Sequence, residues 1–228
     1  MKPARDLIIN TIKEKGCLKQ NVYRVTLEKI NLLKESLLQV ETEIAPKILG
    51  CNENIEIKYT DKSEFDCQLK FASDILVFHG HSNIFTFEKS HPIWKTSYLQ
   101  EEESRGFFGM ISVYNFLADS FKFNRSNDIG YLIARIFVNA EEHFFVEGKR
   151  QLAFLYNDLP ADILDKKKMI SVVESAMLYS MDFDLQVPPY DSMAQISVDQ
   201  IIEVEMSSKV ATGKRLGFRF QSDNDHFE

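Results

Sequence analysis

Three cysteines, one tryptophan and no long apolar run set the first limits on this 228-residue chain. Cys17, Cys51 and Cys67 are widely spaced and odd in number, so they suggest neither a disulfide framework nor a zinc knuckle. A reducing, cytoplasmic setting is expected. Nothing approaches the ~18 consecutive apolar residues of a membrane span. The opening stretch MKPARDLIINTIKEKG also lacks the apolar run of a signal peptide, so no membrane partner is expected.

A basic stripe is missing as well. The net charge is −7, and only residues 1–50 are positive on balance, by three charges. Phosphate neutralisation needs clustered Lys and Arg, so nucleic-acid binding is disfavoured. There is no Gly-x-Ser-x-Gly elbow. The Gly213-Lys214 pair in VATGKRLGF lacks the upstream glycine of a phosphate-binding loop. Neighbouring Lys209, Lys214, Arg215 and Arg219 read as decoration of a surface strand.

What the chain does have is phenylalanine, eighteen in all, mostly between Phe65 and Phe154. That middle third is expected to hold the core. Phe107, Phe108, Tyr114, Phe116, Phe121 and Phe123 are read as core rather than as a ligand cage.

Two helices are expected first, one from Ala4 to Lys15 ending at Gly16, and one from Lys19 to Ile48. In the second, Ile30, Leu33, Leu37, Val40 and Ile44 follow a 3-4-3-4 spacing that puts them on one stripe. Only about two heptads are regular, so the stripe is expected to pack on the first helix or the sheet rather than on a second copy.

From residue 54 the period becomes strand-like. IEIKYT and EFDCQLKF alternate, and DILVF–GHSN–IFTFE reads as a hairpin with its turn at GHSN. HPIWKTSYLQEEESRG reads as a solvated connection. FFGMISVYNFLADSFKF, IGYLIARIFV and HFFVEGKRQLAFLY then read as three strands of an antiparallel meander. A helix follows over about 162–180, starting near Pro160 with Asp158 as its cap. QIIEVEMSS and RLGFRF are expected as final strands.

The resulting expectation is an α+β protein. A mostly antiparallel sheet of six to eight strands, a meander at its core, packs against a long N-terminal helix and a helix in the C-terminal half. Residues 1–50 form the helical segment, 51–220 the α+β domain and 221–228 a frayed acidic tail. A two-fold homodimer is the default assembly.

Four groupings bear on chemistry. Asp128, followed by Glu147 and Lys149 in VEGK, has the order of a PD-(D/E)xK nuclease. There, two carboxylates hold Mg²⁺ or Mn²⁺ and the lysine positions a water. Set against that, Phe144, Val146 and Leu152 share one parity while His143, Glu147, Lys149 and Gln151 share the other, the pattern of a strand with one wet face. His79 and His81 in FHGHSN are spaced to share a metal, with Glu88, His91 or His143 as further ligands, but they sit at an expected turn. Glu203 and Glu205 alternate with Ile202, Val204 and Met206 and again read as a wet face. No cysteine has a neighbouring histidine.

Each grouping has an ordinary surface explanation. The expected role is therefore a soluble cytoplasmic binding or regulatory module for a protein partner or small ligand, without catalysis and without cofactor. The metal-dependent phosphodiesterase is the alternative. A pocket, if formed, is expected between the meander and the N-terminal helix.

Overall fold

The computed structural model describes residues 3–52, 55–149, 151–184, 187, 190–199 and 201–202. Six strands run in simple order, each antiparallel to the next: β1 Ile57–Asp61, β2 Asp66–Phe71, β3 Asp74–Gly80, β4 Gly109–Leu117, β5 Tyr131–Val138 and β6 Phe144–Gly148. The helices are α1 Ala4–Thr11, α2 Cys17–Ile48, α3 Ser97–Glu101, α4 Ala118–Lys122, α5 Gln151–Leu155, α6 Lys166–Met181 and the short α7 Tyr190–Met193. The α+β class, the antiparallel meander and the two covering helices are as the alternation and the 3.6-residue period indicate.

Alternation explains the inner face. Cys67, Leu69 and Phe71 of β2, Leu76 and Phe78 of β3, Ile111 and Val113 of β4, Ile136 and Val138 of β5, and Phe144 and Val146 of β6 share one core. The stripe Ile30, Leu33, Leu37 and Val40 of α2 fills it from above, with Ile44 at its margin. From α6 come Met169, Val172, Val173, Ala176 and Met177. Gly109 lets α2 approach, since a Cβ there would lie 1.8 Å from Thr26 Oγ1. Among the described residues no helix is long and apolar enough to cross a membrane.

Several expected boundaries move. Gly16 does not end a helix. It closes a π-helical turn over Ile12–Gly16, through which α1 continues into α2. The hairpin expected between DILVF and IFTFE with its turn at GHSN does not form. Instead β3 turns back on β2 at Ala72-Ser73, where Ala72 has φ +48°, and pairs on its other side with β4. The strand expected over FFGMISVYNFLADSFKF stops at Leu117. Beyond β3 the chain runs on beside β4, as His81 N–H donates to the Met110 carbonyl and Phe85 bridges Phe108.

The strand expected over HFFVEGKRQLAFLY stops at Gly148. Leu152 and Tyr156 lie four apart, a helical spacing, and α5 turns both into the core. Asp158 is not the cap of α6. The Phe144 N–H donates to the Asp162 carbonyl, and the Val146 N–H to the Tyr156 carbonyl. Residues 156–163 thus serve the edge of β6, and Asp165 caps α6 instead by accepting from the Lys168 N–H.

Phe121 and Phe123 are exposed rather than core. Val198, Asp199, Ile201 and Ile202 are helical, so the strand expected from Gln200 does not begin there. The rest of that segment, including Glu203 and Glu205, lies outside the described residues. So do Lys209, Gly213, Lys214, Arg215, Arg219, the RLGFRF strand and the tail.

One end of the outer face of the sheet is covered by a separate segment. Between β3 and β4 the chain makes an excursion through a 3₁₀ turn at Pro92–Lys95, then α3, then a second 3₁₀ turn at Glu103–Gly106. Ile93, Tyr98 and Leu99 there, joined by Leu159 from the segment before α6, cover Phe108, Phe137 and Phe145 in a second core. The connection expected to be solvated is therefore half buried.

Candidate functional site

The expected nuclease residues are held separately. Asp128 lies in the loop before β5, its side chain only 3% exposed, where it accepts from Ser120 Oγ at 2.6 Å and faces Arg125 Nε at 3.4 Å. Glu147 lies on β6, half exposed and ion-paired with Arg135 directly across on β5. Asp128 precedes even Tyr131, which is four residues before Arg135, a run of about 13 Å in a strand. Lys149 is past the end of β6, and its backbone N–H donates to the Ile133 carbonyl. The wet-face reading of Glu147 matches its exposure and its partner.

His79 and His81 have ring centroids 6.3 Å apart. His79 Nδ1 is 2.6 Å from Asp66 Oδ1, while His81 Nδ1 accepts from the Asn83 N–H and its ring abuts Phe85. His91 stacks on Phe87 and His143 on Tyr98, so neither completes a metal site with them. Among the described residues no group of three or more His, Cys, Asp or Glu is placed to hold a metal ion.

Register does align one polar row that sequence spacing could not reveal. Asp66, His79, Ser112, Arg135 and Glu147 are successive cross-strand neighbours from β2 to β6. Their charges pair off, His79 with Asp66 and Arg135 with Glu147. Burial pushes the Asp66 carboxyl upward, but hydrogen bonds from Ser63 and His79 outweigh it and hold the group below its ordinary range. The row is a cross-strand ladder on an open face.

The concave site is elsewhere, where the excursion meets the N-terminal helix. A cavity of about 690 Å³ opens there. Its aromatic walls are Phe87, Trp94 and Phe107, and Glu14, Lys15 and Leu18 close it from the helix side. The volume lies within the ~300–1,000 Å³ usual for small-molecule sites. Two of the helix residues, Glu14 and Lys15, belong to the π turn, a device that inserts one residue into a helix and often marks functional sites.

The walls are fixed. Phe87 is rooted in the second core, 5.1 Å from Phe137 and 5.8 Å from Phe145 by ring centroids. Trp94 Nε1–H donates to the Phe87 carbonyl at 3.2 Å. Gly106 leaves room for the indole, since a Cβ there would lie 2.3 Å from it. Lys89 Nζ sits 3.8 Å from the Trp94 centroid and 2.8 Å from Glu103 Oε2, bridging the two sides of the rim. Lys15 and Lys19 place their ammonium groups 5.7 and 5.8 Å from the Phe107 centroid, cation–π contacts that fix its face.

A polar knot holds the excursion to the β5–β6 turn. Tyr98 Oη donates to Glu141 Oε2 at 2.7 Å, Arg105 Nε donates to Glu141 Oε1 at 3.1 Å, and Asn139 Nδ2 donates to Tyr98 Oη at 2.9 Å. Asn139 Oδ1 accepts from the Glu141 and His143 N–H groups. Burial, together with Glu141, pushes the Tyr98 phenol up to about 12. Burial pushes the Glu141 carboxyl upward, but Tyr98 and Arg105 more than offset it and leave the group low.

Sequence reasoning placed a pocket between the meander and the N-terminal helix, and the cavity borders that helix. It did not name the walls. The available signals were the single tryptophan and the apolar Ile93, Trp94, Tyr98 and Leu99 inside a polar-looking stretch. Comparison with protein-family models, with curated proteins and with solved structures finds no match.

Proposed function

We propose that the protein is a non-catalytic binding module whose ligand is a small molecule with a flat apolar body, held in the cavity between Trp94 and Phe107. The observation that carries this reading is the rigid aromatic lining of a cavity large enough for such a molecule. On the open face Glu147 is neutralised by Arg135 and His79 pairs with Asp66, which supports binding over catalysis. A cytoplasmic location fits Cys17 and Cys51, both exposed and unbridged.

The neutral fluorophore N-phenyl-1-naphthylamine tests the reading. Saturable one-to-one binding is expected, with quenching of Trp94, the only tryptophan, and loss of binding in Phe107→Ser. Binding that leaves Trp94 emission and the Phe107→Ser variant unaffected overturns it.

A second reading, self-association through α1, has its own observation. Leu7, Ile8, Ile9 and Ile12 are all exposed, and neither α1 nor the π turn buries a residue. Sedimentation of wild type against Leu7→Asn/Ile8→Asn checks it, with a shift from dimer to monomer as the supporting result.

A further inference from the structure

Granting that the cavity binds a flat apolar body, the arrangement of lysines around it says what else the ligand carries. Lys15 and Lys19 are four residues apart, so they project side by side from the helix. Both ammonium groups lie over the same Phe107 ring. Among the described residues neither has a carboxylate partner. Lys89, by contrast, is neutralised by Glu103. Lys15 borders the cavity and Lys19 stands one turn further along the helix, so a lysine pair without a bound carboxylate faces Phe107, while the lysine over Trp94 has one.

We propose that the ligand is an amphipathic monoanion, an aryl or similarly flat carboxylate or sulfonate. Its body lies between Trp94 and Phe107 and its anionic oxygens meet Lys15 and Lys19. Two ammonium groups at one end recognise an oxyanion through charge-assisted hydrogen bonds. The aromatic walls recognise the body by stacking and by area removed from water. Glu14 and Glu88 also border the opening, and both are exposed. They repel a second negative charge, which restricts the ligand to a single anionic group. They also define the competing class, an organic cation drawn by these carboxylates onto the aromatic faces.

Two probes with the same aromatic body separate the classes on the purified full chain. 1-Anilinonaphthalene-8-sulfonate carries a sulfonate, and N-phenyl-1-naphthylamine lacks it. The sulfonate is expected to bind about tenfold more tightly, the worth of one partly exposed charge-assisted contact. That preference should shrink as salt is raised. Lys15→Gln/Lys19→Gln should abolish it, so that in this variant the two probes bind with equal affinity, whatever its effect on the neutral probe alone. Lys166→Gln, remote on α6, should leave the preference intact, and Glu14→Gln/Glu88→Gln should enlarge it.

Equal affinity of the two probes in wild type, or a preference unmoved by Lys15→Gln/Lys19→Gln, overturns the anion class and leaves the cavity reading standing. Displacement of the neutral probe by benzyltrimethylammonium more readily than by benzoate assigns the site to cations and also overturns it. If neither probe binds, the cavity reading itself fails.

Discussion

The two ends of the sheet's outer face are built from the same strands and come to opposite outcomes. At one end His79, Arg135 and Glu147 stand half exposed on β3, β5 and β6, with Ser112 buried between them, and each charge finds its partner across a strand. At the other end Phe108, Phe137 and Phe145 are buried beneath the excursion, and its margin encloses a cavity. The difference lies in what covers the strands. A ladder on an open sheet has no concavity and spends its charges on itself. A sheet capped by a separate segment leaves an irregular seam, and the seam is where aromatic faces and unpaired lysines meet.

The largest test of this contrast truncates an apolar side chain at each end. Phe108 is fully buried, so Phe108→Ala should cost ~3–5 kcal/mol. For a chain of this size that lowers the thermal midpoint by roughly 6–20 °C. Val77→Ala on the open end should cost less than ~1 kcal/mol. Calorimetry of the two variants checks the ratio, and similar losses would mean that the capped end is no true core.

Gly106→Ala comes next. The added methyl would sit 2.3 Å from the indole, so Trp94 must swing outward. Overpacking of this kind costs ~1–3 kcal/mol. The sharper readout is spectroscopic: the tryptophan emission should shift to longer wavelength and the affinity for the neutral fluorophore should fall several-fold. An unchanged spectrum would show that the wall is not where the glycine places it.

How much of this was readable beforehand divides along the same line. The stripe of Ile30, Leu33, Leu37 and Val40 and the alternation of Cys67, Leu69 and Phe71 are local periods, and they placed helix, strands and inner core correctly. Boundaries failed where a distant partner decides them. Nothing local tells that Asp162 serves the edge of β6, so Asp158 looked like a cap. Gly16 looked like a stop because a π turn has no simple composition. The hairpin expected at GHSN failed because β3 pairs with β4 across the excursion, a partner that no local turn signal names. The cavity failed to show for the same reason, since Lys15 and Trp94 are joined only by the folding of the excursion onto the helix. Glu147 was legible as a wet-face residue, but its partner Arg135 was not, because register is set by the whole meander.

At the open end a smaller effect is expected. Arg135→Ala and Glu147→Ala, singly and together, should reveal a coupling of about 0.2–1 kcal/mol, the range for exposed ion pairs. Neither variant should alter fluorophore affinity at the capped end. A change there would mean that the two ends communicate through β5 and β6, and the division drawn above would be lost.

The finest test uses acid. Glu141 in the knot and Asp66 in the ladder are both held below their ordinary carboxylate values of about 4. A carboxyl whose folded pKa is depressed contributes stability above its unfolded pKa and loses it as pH falls through the folded value. Both groups should therefore release stability below about pH 4, and both are partly exposed, so each contribution is small. The location of the loss differs. Protonating Glu141 removes its ion pair with Arg105 and loosens the excursion that walls the cavity. Affinity for the neutral fluorophore should then fall as pH drops below about 4, as that depressed carboxyl is protonated. Glu141→Gln should show a flatter profile over that range, at the cost of lower affinity at neutral pH. Asp66→Asn should flatten the acid limb of the thermal midpoint and leave the binding profile as in wild type. Were Asp66→Asn to change binding and Glu141→Gln not, the knot would have no hold on the pocket, and the acid sensitivity of the site would belong to the open ladder instead.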